Sequence, residues 1–346
     1  MKIAIVSSTM PLVQGGARFI ADWLEVKLRD HGHQVETLHI PTSDVPDEHL
    51  LTQANAFRLM SFDDDFDRVI TLRPPAHLIR HRRKVVWFIH HLRSFYDMWD
   101  TPYRGFPDTR RNRGLRDSIV RLDNAGLAEA HRVFSNSAVV AGRLARFNAV
   151  AAEVLYPPVL RPELFTAGEY GDEIVGVCRM EHHKRQHFAV AAMALTRSQV
   201  RLRLCGTGTD PGYIAGLRAM VAAAGLEHRV TIDDRWITEA EKSARLATAL
   251  ASVYVPLDED SYGYPTIEAA HAARCTVTVS DSGGVPEFVA DGQTGLVAAP
   301  EPQALADAFD RLHADRALAR SLGEAARVQI DTLGIGWDRV IARLLA

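Results

Sequence analysis

The first forty residues, MKIAIVSSTMPLVQGGARFIADWLEVKLRDHGHQVETLHI (1–40), decide the fold class. Ile3 to Val6 is an apolar run of strand length, SSTMPLVQGGA is a loop carrying Gly15 and Gly16, and ARFIADWLEVKLRDHGH places Phe19, Leu24 and Leu28 at helical spacing. HQVETLHI then reads as a second strand. The pattern recurs downstream, with DRVITL and KVVWFIH as short apolar strands and AHRVFSNS followed by AVVAGRLARF as a further strand and helix. Alternation of this kind specifies a parallel sheet covered by helices on both faces.

The proline-rich segment LYPPVLRPELF (155–165) interrupts the pattern and reads as a linker. A new series follows it: DEIVGVCRM, QVRLRLCGTG, RVTIDD, ASVYVPL and CTVTVSD as strands, with HFAVAAMALTRS and GYIAGLRAMVAAAG among the helices. The expected organisation is therefore an N-terminal domain over 1–160, a C-terminal domain over 161–335, and a last helix over 336–346 with Trp337, Ile341 and Leu344 on one side. Two doubly wound domains joined by such a hinge would face each other across a cleft lined by strand C-terminal ends, where sheets of this type bind ligands.

A length of 346 residues suits two domains, and 47% hydrophobic with 24% charged residues is ordinary for a soluble chain. A net charge of −3 argues against a general nucleic-acid binder. Cys178, Cys205 and Cys275 are widely separated and form no CxxC pair, so they read as buried thiols in a reducing cytoplasm rather than as a disulfide or zinc framework. The opening apolar run is too short for a signal peptide, and no stretch has the length and apolarity to span a bilayer. A cytoplasmic location is expected.

The chemistry concentrates in a few stretches. In DEDSYGYPTIEAA (258–270), Asp260 and Glu268 stand eight residues apart around Gly263 and Pro265. Strand ASVYVPL ends just before this loop, and Pro265 suits the first turn of the helix that follows. Backbone N–H groups of Tyr264, Thr266 and their neighbours, with the positive end of the helix dipole, would favour a phosphate there. Carboxylates beside a phosphate are tolerable when they face hydroxyls, and sugars supply those. The plainer reading makes Asp260 a loop or capping acid and Glu268 a first-turn partner of the dipole.

VCRMEHHKRQH (177–187) also follows a strand, so Arg179 and Lys184 would reach the cleft as two cations able to neutralise a diphosphate. His182, His183 and His187 lack a carboxylate at ligand spacing and read as solvated loop residues, not a metal site. SSTMPLVQGGA is not GxGxxG; its glycines either turn the chain or admit a ligand phosphate close to the backbone. In WFIHHLRSFYD, His90 and His91 end a strand, a position that suits either a site residue or a structural histidine.

Taken together, the chain resembles the retaining glycosyltransferases of the large bacterial family 4 (group 1) type, with an α/β GT-B fold of two doubly wound Rossmann-like domains facing a central cleft. DSYGYPTIE carries the acid, seven residues, Glu element, and AAHAARCTVTVSDSGGVPEFVADGQTGLV continues it with GG-x-PE and DG-x-x-G-(L/F). The resemblance implies that Glu268 binds the ribose hydroxyls of the nucleotide and Asp260 the donor sugar. It implies a diphosphate clamp of Arg179 and Lys184, aided by backbone N–H groups of Tyr264 and Thr266 and by Gly16. His90 would contact the donor sugar near the reaction centre, and Trp236 with Ile237 would hold the base. The last helix would cross back to the N-terminal domain. The first acid is Asp where Glu is commoner, and Ala273 and Cys275 stand where many members have Gly and Pro.

The implied reaction moves a sugar from a nucleoside-diphosphate sugar to a hydroxyl of a glycan or lipid-linked acceptor, in surface polysaccharide or lipopolysaccharide synthesis. Departing diphosphate oxygens would take the acceptor proton, without metal or resident cofactor; the donor is a co-substrate. For the acceptor side, residues 73–121 combine many arginines with Trp87, Phe95, Tyr96, Trp99, Tyr103 and Phe106. Within it, YDMWDTPYRGFPDTRRNRG (96–114) reads either as a mobile acceptor loop touching an anionic membrane surface or as a solvated basic face. Rival readings are a nucleotide-sugar epimerase or phosphorylase of the same architecture, and a non-catalytic nucleotide-binding module.

Overall fold

The computed structural model describes residues 1–10, 16–43 and 49–346. The chain divides into two compact units, one of Met1–Pro157 with Gly336–Ala346 and the other of Pro158–Ile335.

The first unit runs β1 (Lys2–Thr9), α1 (Gly16–Asp30), β2 (Gln34–Pro41), α2 (His49–Leu59), β3 (Arg68–Thr71), β4 (Lys84–Phe88), α3 (Arg110–Ala128), β5 (Arg132–Ser135), α4 (Ala138–Asn148) and β6 (Glu153–Val154). Its strands form one parallel sheet in the order β2-β1-β3-β4-β5-β6. Ile3 to Val6 and Val85 to Phe88 are fully buried, because helices cover both faces of the central strands.

The second unit runs β7 (Glu173–Val177), α5 (Gln186–Met193), β8 (Arg201–Cys205), α6 (Pro211–Ala223), β9 (Val230–Asp233), α7 (Glu239–Ala247), β10 (Ala251–Val253), α8 (Tyr264–His271), β11 (Thr276–Val279), β12 (Gly295–Ala298), α9 (Pro302–Ala314) and α10 (Arg316–Thr332). Its parallel sheet has the order β12-β11-β10-β7-β8-β9. Strand order therefore reverses between β7 and β10, and the loops leaving those two strands lie where sheets of this type bind ligands.

Helix α11 (Trp337–Leu345) belongs to the first unit. It buries Trp337, Val340, Ile341 and Leu344. The Arg68 guanidinium donates to the Leu344 carbonyl at 2.6 Å, satisfying a carbonyl that the helix end leaves without an intrahelical donor. Arg343 pairs with Glu153 of β6.

Several of the aromatics of 73–121 are core residues rather than surface ones. Phe95, Tyr96 and Trp99 are buried, packed with Leu50, Leu115 and Ile119. Leu115 and Ile119 lie four residues apart on α3, which begins at Arg110 behind a Thr109 cap and supplies the cover that local sequence does not reveal. The guanidinium groups of Arg104 and Arg116 sit 5.1 Å and 4.7 Å from the Trp99 ring centre, so part of the basic character is spent inside this cluster. Tyr103 is exposed. Gly126 lets α3 approach the turn at Ala76–Leu78, since a Cβ there would meet Leu78 Cδ2 at 2.8 Å.

Among the described residues, no helix is long and apolar enough to cross a membrane. Cys178, Cys205 and Cys275 are unpaired thiols, and burial pushes the Cys275 thiol up to about 12.

Candidate functional site

The site of the second unit is built from three loops at strand C-terminal ends: 178–185 after β7, 254–263 after β10, and 280–284 after β11. They are tied by backbone hydrogen bonds from Leu257 N–H to the His183 carbonyl (2.7 Å), Asp258 N–H to the Asp281 carbonyl (2.9 Å) and Gly284 N–H to the Glu259 carbonyl (2.8 Å). The double glycine of SDSGGVPE has its reason in this lacing. Gly283 has φ +65°, and a Cβ on it would lie 2.2 Å from the Glu259 carbonyl oxygen.

Lys184 reaches from the first loop into the second. Its Nζ donates to the Tyr254 hydroxyl at 2.9 Å and forms an ion pair with Glu259, which also accepts from the Tyr254 hydroxyl at 2.8 Å. Burial alone would raise the Glu259 carboxyl, but the Lys184 ammonium and these hydrogen bonds hold it at about 2. These contacts use two of the three ammonium donors. Arg179 is more exposed and lies 3.7 Å from Glu181. Spacing from Glu268 singles out Asp260 in this loop and is silent on Glu259, whose partner is a lysine 75 residues away. Asp260 itself is half-buried in the same loop.

Glu268 is the fifth residue of α8, whose first turn contains no acid, so its reading as a first-turn dipole partner is corrected. It is 4% exposed and accepts from Lys242 Nζ at 2.5 Å. Lys242, on α7, also pairs with Glu239 at 2.8 Å and lies 5.7 Å from the Phe165 ring centre. Burial pushes the Glu268 carboxyl up to about 7, opposed by the Lys242 ammonium. Lys242 was not legible as a site residue.

The phosphate-binding role expected of the Thr266 N–H is also corrected. That group donates to the Gly263 carbonyl at 3.1 Å, and Thr266 is 1% exposed. Tyr264, the first residue of α8, is half-buried.

On the β9 to α7 connection, Trp236 and Ile237 have opposite surroundings: Trp236 is 57% exposed and Ile237 6%. A capping box of Thr238 and Glu241 fixes the start of α7, and Arg235 pairs with Glu241 at 2.7 Å. Trp236 thus offers an open ring face on a rigid turn, while Ile237 belongs to the packing beneath it.

In the first unit the two adjacent histidines separate. The His91 ring is buried against Phe88 and Tyr96, with Nε2 2.8 Å from Asn148 Oδ1, and burial lowers its pKa to about 4. His90 is half-buried, with Nδ1 2.8 Å from the His91 carbonyl. Gly16 is the exposed first residue of α1, whereas Gly15 lies outside the described residues. His182 is exposed and 3.2 Å from Asp210, and His187 is within hydrogen-bond reach of the Tyr213 hydroxyl. Among the described residues no group of three or more His, Cys, Asp or Glu is placed to hold a metal ion.

Residues 168–329, which contain all three loops, match the family described as Glycosyl transferases group 1. This segment is similar to the group 1 glycosyltransferases. The glycogen synthase of Mycobacterium tuberculosis is 31% identical over 175 residues, 49% of this chain and 40% of that protein. The D-inositol 3-phosphate glycosyltransferase of Actinosynnema mirum is 30% identical over 246 residues, 64% of this chain and 57% of that enzyme. The chain thus spans about half the length of these curated relatives. Among solved structures, sucrose-phosphate synthase from Thermosynechococcus elongatus superposes with a TM-score of 0.75 at 20% identity, covering 99% of this chain and 97% of that one. Anabaena HepE in complex with UDP gives 0.74 at 16% identity, covering 100% and 99%. At these identities the likeness is one of fold, and the fold is GT-B.

Proposed function

We propose that this chain is a group 1 glycosyltransferase of the retaining type that moves a sugar from a nucleoside-diphosphate sugar to a hydroxyl of a glycan or lipid-linked acceptor, in bacterial surface polysaccharide synthesis. The observation that carries the reading is the convergence, at the strand-order switch of the second unit, of Lys184 and Arg179 from the loop after β7 with Glu259 and Asp260 from the loop after β10. That combination offers cations to a diphosphate and carboxylates to hydroxyls within one crevice.

In this reading Arg179 and the third donor of Lys184 stabilise charge as the diphosphate leaves, Asp260 accepts from hydroxyls of the donor sugar, and Glu268 accepts from the ribose. Trp236 stacks on the base. Tyr264 contributes a backbone N–H group. No side-chain nucleophile is invoked: the leaving diphosphate takes the acceptor proton on the face it vacates. Neither a metal nor a resident cofactor is part of the proposal. The structure of HepE with UDP-glucose and the mycobacterial mannosyltransferase named for GDP-mannose differ in base and sugar, so both stay open for this chain.

The test is proton NMR of the purified chain with UDP- and GDP-sugars and a simple glycoside acceptor. A product anomer matching that of the donor, with release of nucleoside diphosphate, is expected. An inverted product would remove the retaining assignment, and binding without transfer or hydrolysis would leave a nucleotide-binding module.

A further inference from the structure

Arg185 lies between the loop after β7 and the start of α5, with its backbone in the left-handed region at φ 52°. Glycine adopts that conformation freely, whereas residues with a Cβ do so rarely. The side chain explains why an arginine stands there. Its Nε donates to the Val255 carbonyl at 2.9 Å, Nη2 donates to the Pro256 carbonyl at 2.7 Å, and Nη1 and Nη2 reach the two Asp281 oxygens at 2.8 Å and 2.6 Å.

Every one of these acceptors lies on a loop of the candidate donor site rather than in a strand or helix of the core. Val255 and Pro256 lead directly into Glu259 and Asp260, Asp281 precedes the double glycine, and Arg185 itself follows Lys184 in sequence. A planar guanidinium with five donors in a fixed fork can hold two carbonyls and a carboxylate in one geometry, which a lysine ammonium cannot. Its side chain is 9% exposed, so these bonds are shielded from water.

We propose that Arg185 is a positioning residue of the donor site, setting the separation between the diphosphate-facing cations of the loop after β7 and the sugar-facing acid of the loop after β10. The left-handed backbone is the conformation that turns the guanidinium back under both loops. This inference rests on the donor-site reading given above.

The two are distinguishable with the full chain. Wild type is first titrated calorimetrically with UDP, GDP and ADP, and the tightest binder is then titrated into Arg185→Gly, Arg185→Ala and Arg185→Lys well below their melting temperatures. The Gly variant keeps the backbone conformation and loses only the fork, so it is expected to fold while its Kd rises on the order of 10-fold or more, as misplacement of site groups produces. With the matching nucleotide sugar, its KM for donor is expected to rise more than kcat falls. Arg185→Ala is expected to show the same affinity loss with a lower melting temperature than Arg185→Gly. The inference is overturned if the Gly and Lys variants melt lower yet bind with wild-type Kd, since that is the signature of a purely structural role. Should Arg185→Gly fail to fold, Arg185→Lys supplies the same comparison. If wild type binds none of the three nucleotides, the donor-site reading falls, and this inference with it.

Discussion

Lys242 Nζ lies 2.5 Å from Glu268 Oε1, joining α7 to α8 in a pair whose carboxyl side is 5% exposed. Burial lifts the Glu268 carboxyl to about 7 and Lys242 opposes the lift. A carboxyl raised above its unfolded value near 4.5 favours the folded state while protonated, so this group's contribution to stability is present below about 4.5 and is lost as pH rises through about 7.

Donor binding has the opposite sign. In the proposed function the ionised carboxylate accepts from the ribose hydroxyls, so nucleotide affinity is expected to weaken as pH falls below about 7. Lys242→Met removes the opposing ammonium and is expected to move the midpoint of that loss upward. Among the described residues, the other titratable groups facing this pair are the Glu239 carboxylate on α7 and the neutral hydroxyl of Tyr264 on α8. Calorimetric Kd values from pH 5.5 to 8.5 check this; identical pH profiles for wild type and Lys242→Met would separate Glu268 from the binding step.

Lys184→Ala is expected to reduce turnover on the order of 100-fold or more, the usual consequence of deleting a preorganised electrostatic group. It also strands Glu259, so the melting temperature falls. Adding Glu259→Gln to Lys184→Met is expected to restore much of the melting temperature without restoring turnover, because replacing both members of a buried pair costs less than removing one. Melting curves and initial rates of the three variants test the two halves independently.

Trp236 is exposed at 57%, so Trp236→Ala is expected to change unfolding free energy by less than about 0.5 kcal/mol. Loss of a stacked base is expected to weaken nucleotide binding by about 1–3 kcal/mol. Urea unfolding and titration with the preferred nucleotide measure the two quantities.

Gly283→Ala puts a Cβ 2.2 Å from the Glu259 carbonyl at a position of φ +65°. The expected cost is about 1–3 kcal/mol of stability, as for other insertions into tight packing. Donor binding should fall with it, since the displaced backbone carries Glu259. An unchanged urea midpoint would contradict the lacing of the two loops.

The strands were legible wherever both faces are buried: Ile3 to Val6 and Val85 to Phe88 are continuous apolar runs because helices cover the sheet on each side. The two-residue β6 has too little pattern of its own to stand out. The position of Lys184 and Arg179 in a loop could be read because they follow the apolar run of β7 directly. Their partners could not. Glu259 pairs with a lysine 75 residues away, Arg185 with a carbonyl 70 residues on, and Lys242 with a glutamate 26 residues away. Spacing alone was equally silent on Thr266, whose N–H closes the first turn of α8, and on Phe95, Tyr96 and Trp99, whose cover arrives with α3.

The central claim is that the second unit holds a nucleoside-diphosphate sugar with its ribose on Glu268. A thermal-shift panel of UDP, GDP, ADP and their sugars, run on wild type and Glu268→Ala, tests it most directly, because a ligand of the folded state raises the melting temperature by mass action. One nucleotide series is expected to raise the wild-type melting temperature with increasing concentration, and Glu268→Ala to lose that response. A flat wild-type panel, or an equal response in Glu268→Ala, would contradict the account.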